Sequence, residues 1–234
     1  MELIYIGHSG FAVLGEGFTI VIDYYRDPAD VHSFLLTRPG AFYVLSSHVH
    51  ADHFNPEVLS WKTIRPDILY LFSKDILESR RAAEREAVFL EKGDVYQDDL
   101  IRVKAFGSTD AGISFLINMA EKRIFHAGDL NNWHWKEEST LAESRQAEAD
   151  FKAELEEVVS EASSVDLAMF PVDPRLGKEY MLGAEQFVDR IKTDVFVPMH
   201  FDQAYGRAAA FGTYAKVRGI RFVAWTKEGE RIDF

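Results

Sequence analysis

Residues 48–53 of this 234-residue chain read His-Val-His-Ala-Asp-His, three imidazoles and a carboxylate in a protein that has eight histidines in all. Neutral imidazole and carboxylate are the nitrogen and oxygen donors that borderline divalent cations prefer. His48 and His50, two apart in extended chain, can point the same way toward one ion. Asp52 and His53, just past the bend, can face a second. Two such ions can share a bridging hydroxide whose lowered pKa makes it a nucleophile near neutral pH. A solvated loop carrying one hydrogen-bonded core histidine is the bland alternative, and the rest of the chain weighs against it.

Other donors recur at the ends of apolar runs. Asp23 follows FTIVI, His48 follows FYVLSS, Asp129 follows RIFHAG and His200 follows VFVPM. Strand ends opening into loops are where α/β proteins gather functional groups on a rigid scaffold. The chain has no cysteine, which excludes disulfides, thiolate ligands and thiol nucleophiles. Any metal must therefore be held by histidine and carboxylate. No Gly-x-Ser-x-Gly elbow or phosphate-cradling glycine motif occurs, so serine-hydrolase and nucleotide-binding readings lack support. A formal charge of −12 disfavours nucleic acid and anionic membranes as partners; oligomeric state is not legible. The N-terminus reads directly into a strand, and no apolar run approaches the length of a membrane span. A soluble, cytoplasmic protein is expected.

Short elements must position these donors. ELIYIG and GFAVLGEGFTIVID are expected as strands, the last two joined at Gly-Glu-Gly. GAFYVLSS and DILYLFS suit buried strands. Asn55 can cap a helix with Pro56 at its first position, and KDILESRRAAER reads as a second helix. Strands are expected around the turn at Lys92-Gly93-Asp94, and two more meet near Glu121-Lys122. Residues 136–164 contain no proline or glycine, and Phe151, Leu155, Val158, Val159 and Ala162 fall at helical spacing. VDLAMFPVD and VFVPMHF are expected as strands, GAEQFVDRIKT as a helix, and GIRFVAWTKEGERIDF as a hairpin-like strand pair. With no linker, repeat or low-complexity tract, residues 1–234 read as a single α/β domain.

HVHADH (48–53), HAGDLNNW (126–133) and VPMHF (197–201), with Asp23 upstream, resemble the motifs of the metallo-β-lactamase-fold hydrolases. The resemblance spans nearly the whole chain in the right order. The opening IGHSGF (6–11) is most similar to the branch containing the ascorbate-6-phosphate lactonases. It implies a four-layer αββα sandwich with a metal-holding cleft at one edge. It also implies a metal-dependent hydrolase with a small-molecule substrate, in which a metal-held hydroxide attacks an ester, lactone or phosphodiester. Carried over by residue, His48 and His50 would bind a first metal, Asp52, His53 and His200 a second, and Asp129 would bridge both. Asp52 would also act catalytically, orienting the hydroxide or shuttling a proton, and Asp23 would brace the histidine loop. One or two divalent ions are implied, zinc foremost, with manganese or iron as alternatives.

The chain departs from that pattern at one position. The family usually supplies another histidine for the first metal between the cluster and the Gly-Asp, yet none occurs between His53 and His126. AFGSTDAGISF (105–115) offers Asp110, which would harden the site toward manganese or iron; a turn role for that aspartate is equally open. His134 or His8 could serve instead, or the first site is weak. His126 reads as a strand side chain and His32 carries no signal. Trp133 and Trp135 either wall a pocket or pack, and Arg175 and Lys178 either meet an anionic substrate or are solvated. Two rival classes remain: a non-catalytic metal- or ligand-binding protein on the same scaffold, and oxygen-reducing di-iron chemistry, for which the chain shows no flavin-binding partner domain.

Overall fold

Glycines punctuate the first three strands, β1 (Glu2–Gly7), β2 (Gly10–Gly15) and β3 (Phe18–Ile22), which pair antiparallel in sequence. The computed structural model describes residues 1–234, and its backbone gathers them into two units, 1–91 with 225–234, and 92–224. In the first unit β4 (Ala41–Ser46), β5 (Leu69–Ser73) and β6 (Val88–Leu90) extend the sheet in parallel from β3. All of β3, antiparallel to β2 and parallel to β4, is buried, as its near-continuous apolar run leads one to expect. Ile4, Val21, Val44, Phe54, Trp61 and Phe72 belong to its core, which the helices α1 (Val31–Leu36), α2 (Glu57–Ser60) and α3 (Lys74–Glu78) help to build.

Helix starts here follow local chemistry more than the expected lengths. Asn55 Oδ1 accepts the Glu57 N–H at 2.9 Å, so Asn55 does hold the start of α2, which begins one residue after Pro56. The helix expected over KDILESRRAAER stops at Glu78, and Arg80 lies at φ 56°. A left-handed residue ends an α-helix. The short α3 has a use, because Asp75 in its first turn accepts the Val49 N–H at 3.0 Å and so ties down the histidine loop.

The second unit holds β7 (Val95–Gln97), β8 (Ile101–Phe106), β9 (Ser114–Met119) and β10 (Lys122–His126), paired antiparallel. Ala120 and Glu121, at φ 47° and 63°, make the two-residue turn between β9 and β10, the paired positive φ of a type I′ hairpin. The long helix is α4 (Leu141–Glu161), opened by a Thr140–Glu143 capping box and burying Phe151, Leu155 and Val158. Then follow β11 (Ser164–Pro171), α5 (Leu182–Arg190), β12 (Lys192–Met199), α6 (Tyr205–Ala209), α7 (Gly212–Val217) and β13 (Arg221–Phe222). From β10 onward this sheet is parallel.

Strands flank Lys92-Gly93-Asp94 as expected, but they belong to different sheets, β6 pairing with β5 and β7 with β8. One expectation about strand pairing is corrected. The C-terminal segment is no hairpin: β13 pairs with β12, while β14 (Arg231–Asp233) pairs with β1 in the first unit. Alternating apolar residues identify a strand, but they do not name its neighbour. Both sheets have seven strands, ordered β14-β1-β2-β3-β4-β5-β6 and β13-β12-β11-β10-β9-β8-β7. No helix is long and apolar enough to cross a membrane.

Candidate metal centre

In the first unit the donors stand at the ends of β3 and β4. Asp23, at φ 47° and fully buried, donates its own N–H to Leu45 O. Its Oδ1 accepts the Ser47 N–H at 2.7 Å, and its Oδ2 accepts the Ser47 hydroxyl at 2.6 Å and His53 Nδ1–H at 2.7 Å. Because the Ser47 proton is given to Asp23, its oxygen accepts from His48 Nδ1, 3.0 Å away. One aspartate thereby sets the tautomer of two histidines, directly and through a serine, and leaves Nε2 of each as the lone-pair nitrogen. The rings of His48 and His53 are buried, with centroids 4.1 Å apart, and His50 meets His48 at 4.6 Å. The bend after His50 is closed by His53 and Phe54 N–H groups donating to His50 O. His8, from the β1–β2 turn, joins this set. Its Nε2 lies 3.3 Å from Asp52 Oδ2, and donor atoms of His8, Asp52 and His53 all lie within 4.8 Å of one another. The His8 hydrogen bond, opposed by partial burial, holds the Asp52 carboxyl well below the usual carboxylate range.

The second unit assembles its donors at the ends of β10, β11 and β12. Gly128, at φ 52°, turns the chain out of β10 to Asp129. His200, at φ 60° just past β12, places Nε2 3.4 Å from Asp129 Oδ1. His200 Nδ1 donates to Asp173 Oδ2 at 3.0 Å. Asp173 is almost fully buried and also accepts the Arg175 backbone N–H and Nε–H, each at 2.9 Å. Burial alone would raise the Asp173 pKa, but hydrogen bonds from His200 and Arg175 outweigh it and bring it down to about 2. Asp173 is thus the anion to which His200 Nδ1–H points, despite Arg175 Nη2 passing at 3.2 Å. Trp133 donates Nε1–H to Asp129 O at 2.8 Å and stands edge-on to His200 at 5.4 Å. With Thr109, Glu143, Gln146, Ala147 and Asp150 it lines a groove of about 290 Å³.

The alternatives for the missing histidine separate here. His134 is excluded as a donor: Nδ1 accepts the Lys136 N–H and Nε2–H donates to Glu179 O, both at 3.2 Å. His126 is fully buried and accepts the Gly128 N–H. Asp110 is exposed, with a carboxylate oxygen within 4.8 Å of one on Asp129. Its neighbour Thr109 donates to Asn131 O at 2.6 Å, which ties that loop to the Asp129 loop. Lys178 is exposed, whereas Arg175 is occupied by Asp173.

Residues 2–144, more than half of the chain, match the family model described as a beta-lactamase superfamily domain. The chain belongs to that superfamily. A UPF0173 metal-dependent hydrolase of Symbiobacterium thermophilum is 25% identical over 209 residues, covering 86% of this chain and 84% of the relative. Among solved structures, the metallo hydrolase Igni18 of Ignicoccus hospitalis superposes with a TM-score of 0.69 at 17% identity, over 100% of this chain and 98% of its own. The metallo-beta-lactamase fold protein YhfI of Bacillus subtilis does so at 0.66 and 10%, over 99% and 98%. This beta-lactamase superfamily chain therefore has the metallo-β-lactamase fold, the class expected from its sequence.

The donor sets of this superfamily member fit a divalent cation. Nitrogen and oxygen atoms bound to one ion at about 2.0–2.2 Å stand roughly 3–3.5 Å apart. The 3.3 Å His8–Asp52 and 3.4 Å His200–Asp129 separations have that length. Imidazoles whose Nδ1–H is fixed by a carboxylate are characteristic of metal ligands. Three supports escaped the sequence reading: Ser47, Asp75 and Asp173. Asp173 carried a usable signal, since it follows the apolar run of β11 as Asp129 follows β10 and His200 follows β12. Nothing in the local sequence marks Asp75.

Proposed function

We propose that the chain is a metal-dependent hydrolase in which His48, His50, Asp52 and His53 of the first unit and Asp129 and His200 of the second serve as metal ligands, the whole chain acting as a single catalytic domain. The observation that carries this reading is the bracing of imidazoles by buried carboxylates, His53 by Asp23 and His200 by Asp173. Such bracing has a clear purpose when Nε2 must be held as a lone pair for a cation. When bound, one or two divalent ions supply Lewis acidity and acidify a water. Zinc suits the imidazole-rich set, and Asp110 beside Asp129 would favour manganese or iron.

The chain's own groups then do the rest. Asp23 and Ser47 fix His48 and His53, and Asp173 fixes His200. Asp52, with 41% of its side chain exposed, stays a carboxylate and orients a water by accepting a hydrogen bond. A group held that far below neutrality is a poor proton carrier. Trp133 and the groove beside it offer the substrate's organic part an indole wall. The chemistry suits an ester, lactone or phosphodiester, attacked at carbon or phosphorus. The test is bound metal in protein purified without added metal, comparing wild type with His53→Ala and His200→Ala, together with turnover over those three substrate classes. Metal in the wild type alone, with turnover lost in both variants, is expected. Equal, near-zero metal in all three would sink the reading, and tight metal binding with no turnover on any panel would favour a non-catalytic binding protein.

A further inference from the structure

The β1–β2 turn is built around an unusual residue. Gly7 pairs with Gly10, so His8 and Ser9 form a two-residue hairpin loop. His8 lies at φ 55° while Ser9 does not share the positive φ, and glycine is the residue preferred at a first central position of that kind. A histidine held there is strained, and strain of this kind gathers at functional sites. The flanking glycines allow it. Gly7 sits at φ 150°, and a Cβ on Gly10 would meet the backbone oxygens of Asp23 and Gly7 at 3.0 Å. The hairpin tip is thus pressed against the backbone of Asp23, the residue that orients His53.

The side chain uses that placement. The His8 ring is 4% exposed. It stands nearly perpendicular to His53, centroids 5.7 Å apart at 82°, and edge-on to Tyr25 at 6.1 Å. The two rings do not stack, and a donor nitrogen of each lies within 4.8 Å of the other and of an Asp52 oxygen. The 3.3 Å between His8 Nε2 and Asp52 Oδ2 is a hydrogen-bond length, and it is also the spacing that two ligands of one ion would have.

We infer that His8 is a further ligand of the ion served by Asp52 and His53, an inference that rests on the metal-centre reading above. It restores the imidazole that the chain lacks between His53 and His126, but at the other ion. The consequence is an asymmetric centre, tight where Asp52, His53 and His8 contribute and weak where His48 and His50 do.

Cobalt(II) titration of the full chain, followed by visible absorption, tests this with His8→Asn, His8→Gln and His53→Ala. Asparagine tolerates the left-handed backbone, and glutamine can still donate a hydrogen bond to Asp52. Both His8 variants are expected to weaken the tighter cobalt phase by at least about 100-fold, above the ~10–100-fold typical of outer partners, and to alter its spectrum. Wild-type binding in either variant overturns the inference; recovery by glutamine alone assigns His8 to hydrogen bonding of Asp52 and overturns it too. Failure of the underlying reading looks different, since wild type would then bind no cobalt or His53→Ala would bind as well as wild type. Should a variant not fold, long-range ¹H–¹⁵N spectra of unmutated protein titrated with cadmium(II) decide the matter. A shifted, cadmium-coupled His8 Nε2 is expected, and an unperturbed one overturns the proposal.

Discussion

At the end of β3 a single fully buried carboxylate, Asp23, holds Ser47 and His53 past the end of β4 and reaches His48 through the serine hydroxyl. Past the end of β11 a second buried carboxylate, Asp173, holds only one imidazole, His200 at the end of β12, and it is itself gripped by Arg175, whose side chain is 56% exposed. Both arrangements turn an Nδ1–H toward an anion and so present Nε2. They differ in how many ligands depend on one group. Loss of Asp23 disorients two imidazoles at once, whereas loss of Asp173 disorients one. Reach, more than proximity to a metal, should therefore rank the bracing residues.

The largest effects should come from the ligands, because no brace compensates for a missing donor. His53→Ala and His200→Ala are each expected to lower turnover by at least about a thousandfold, several kcal/mol of transition-state stabilisation, with bound metal falling in parallel. Normal turnover in His200→Ala, measured beside its metal content, would remove the second corner from the comparison.

Next come the braces. Asp23→Asn should weaken metal binding by about 100-fold and Asp173→Asn by about 10-fold, the two ends of the range for groups that orient a ligand. Calorimetric titration of each variant with zinc gives the order, and the reverse order would break the idea that reach matters. Asp23→Asn should also destabilise the metal-free protein by about 1–3 kcal/mol, since an amide nitrogen then faces buried donors. Thermal melting without metal reads that cost separately from affinity.

This ranking also explains what the sequence could and could not disclose. His48, His50, Asp52 and His53 were legible because their spacing is local and their types are scarce. Asp23, Asp129 and His200 were legible because each follows an apolar strand. Asp173 obeys the same rule, two residues past the apolar run of β11. Other features lie beyond local pattern. His134 is excluded by the amide of Lys136 and the carbonyl of Glu179, and the second of these is remote in sequence. β14 belongs beside β1 because the tertiary fold brings it there; its own residues fit any half-exposed edge. The early end of α3 at Arg80 likewise reflects backbone context that helix propensity does not contain.

The smallest effect concerns pH, and it separates the two braces by charge. The Asp173 pKa falls from 3.8 to about 2 on folding. A depressed carboxylate pKa means stability that is fully present above the unfolded value and lost as pH falls through the folded one. In metal-free protein the melting-temperature gap between wild type and Asp173→Asn should therefore hold steady above about pH 5 and shrink between about pH 4 and 2. At about 1.36 kcal/mol per pH unit, the contribution is at most about 2.5 kcal/mol. Screening of the exposed Arg175 makes it smaller. Arg175→Ala removes both a donor and the positive charge, so the Asp173 pKa should rise and the shrinkage should begin at higher pH. An unchanged acid profile in Arg175→Ala would mean that His200 and the residue-175 backbone N–H hold Asp173 without the guanidinium. The two corners would then differ only in the number of imidazoles each carboxylate serves.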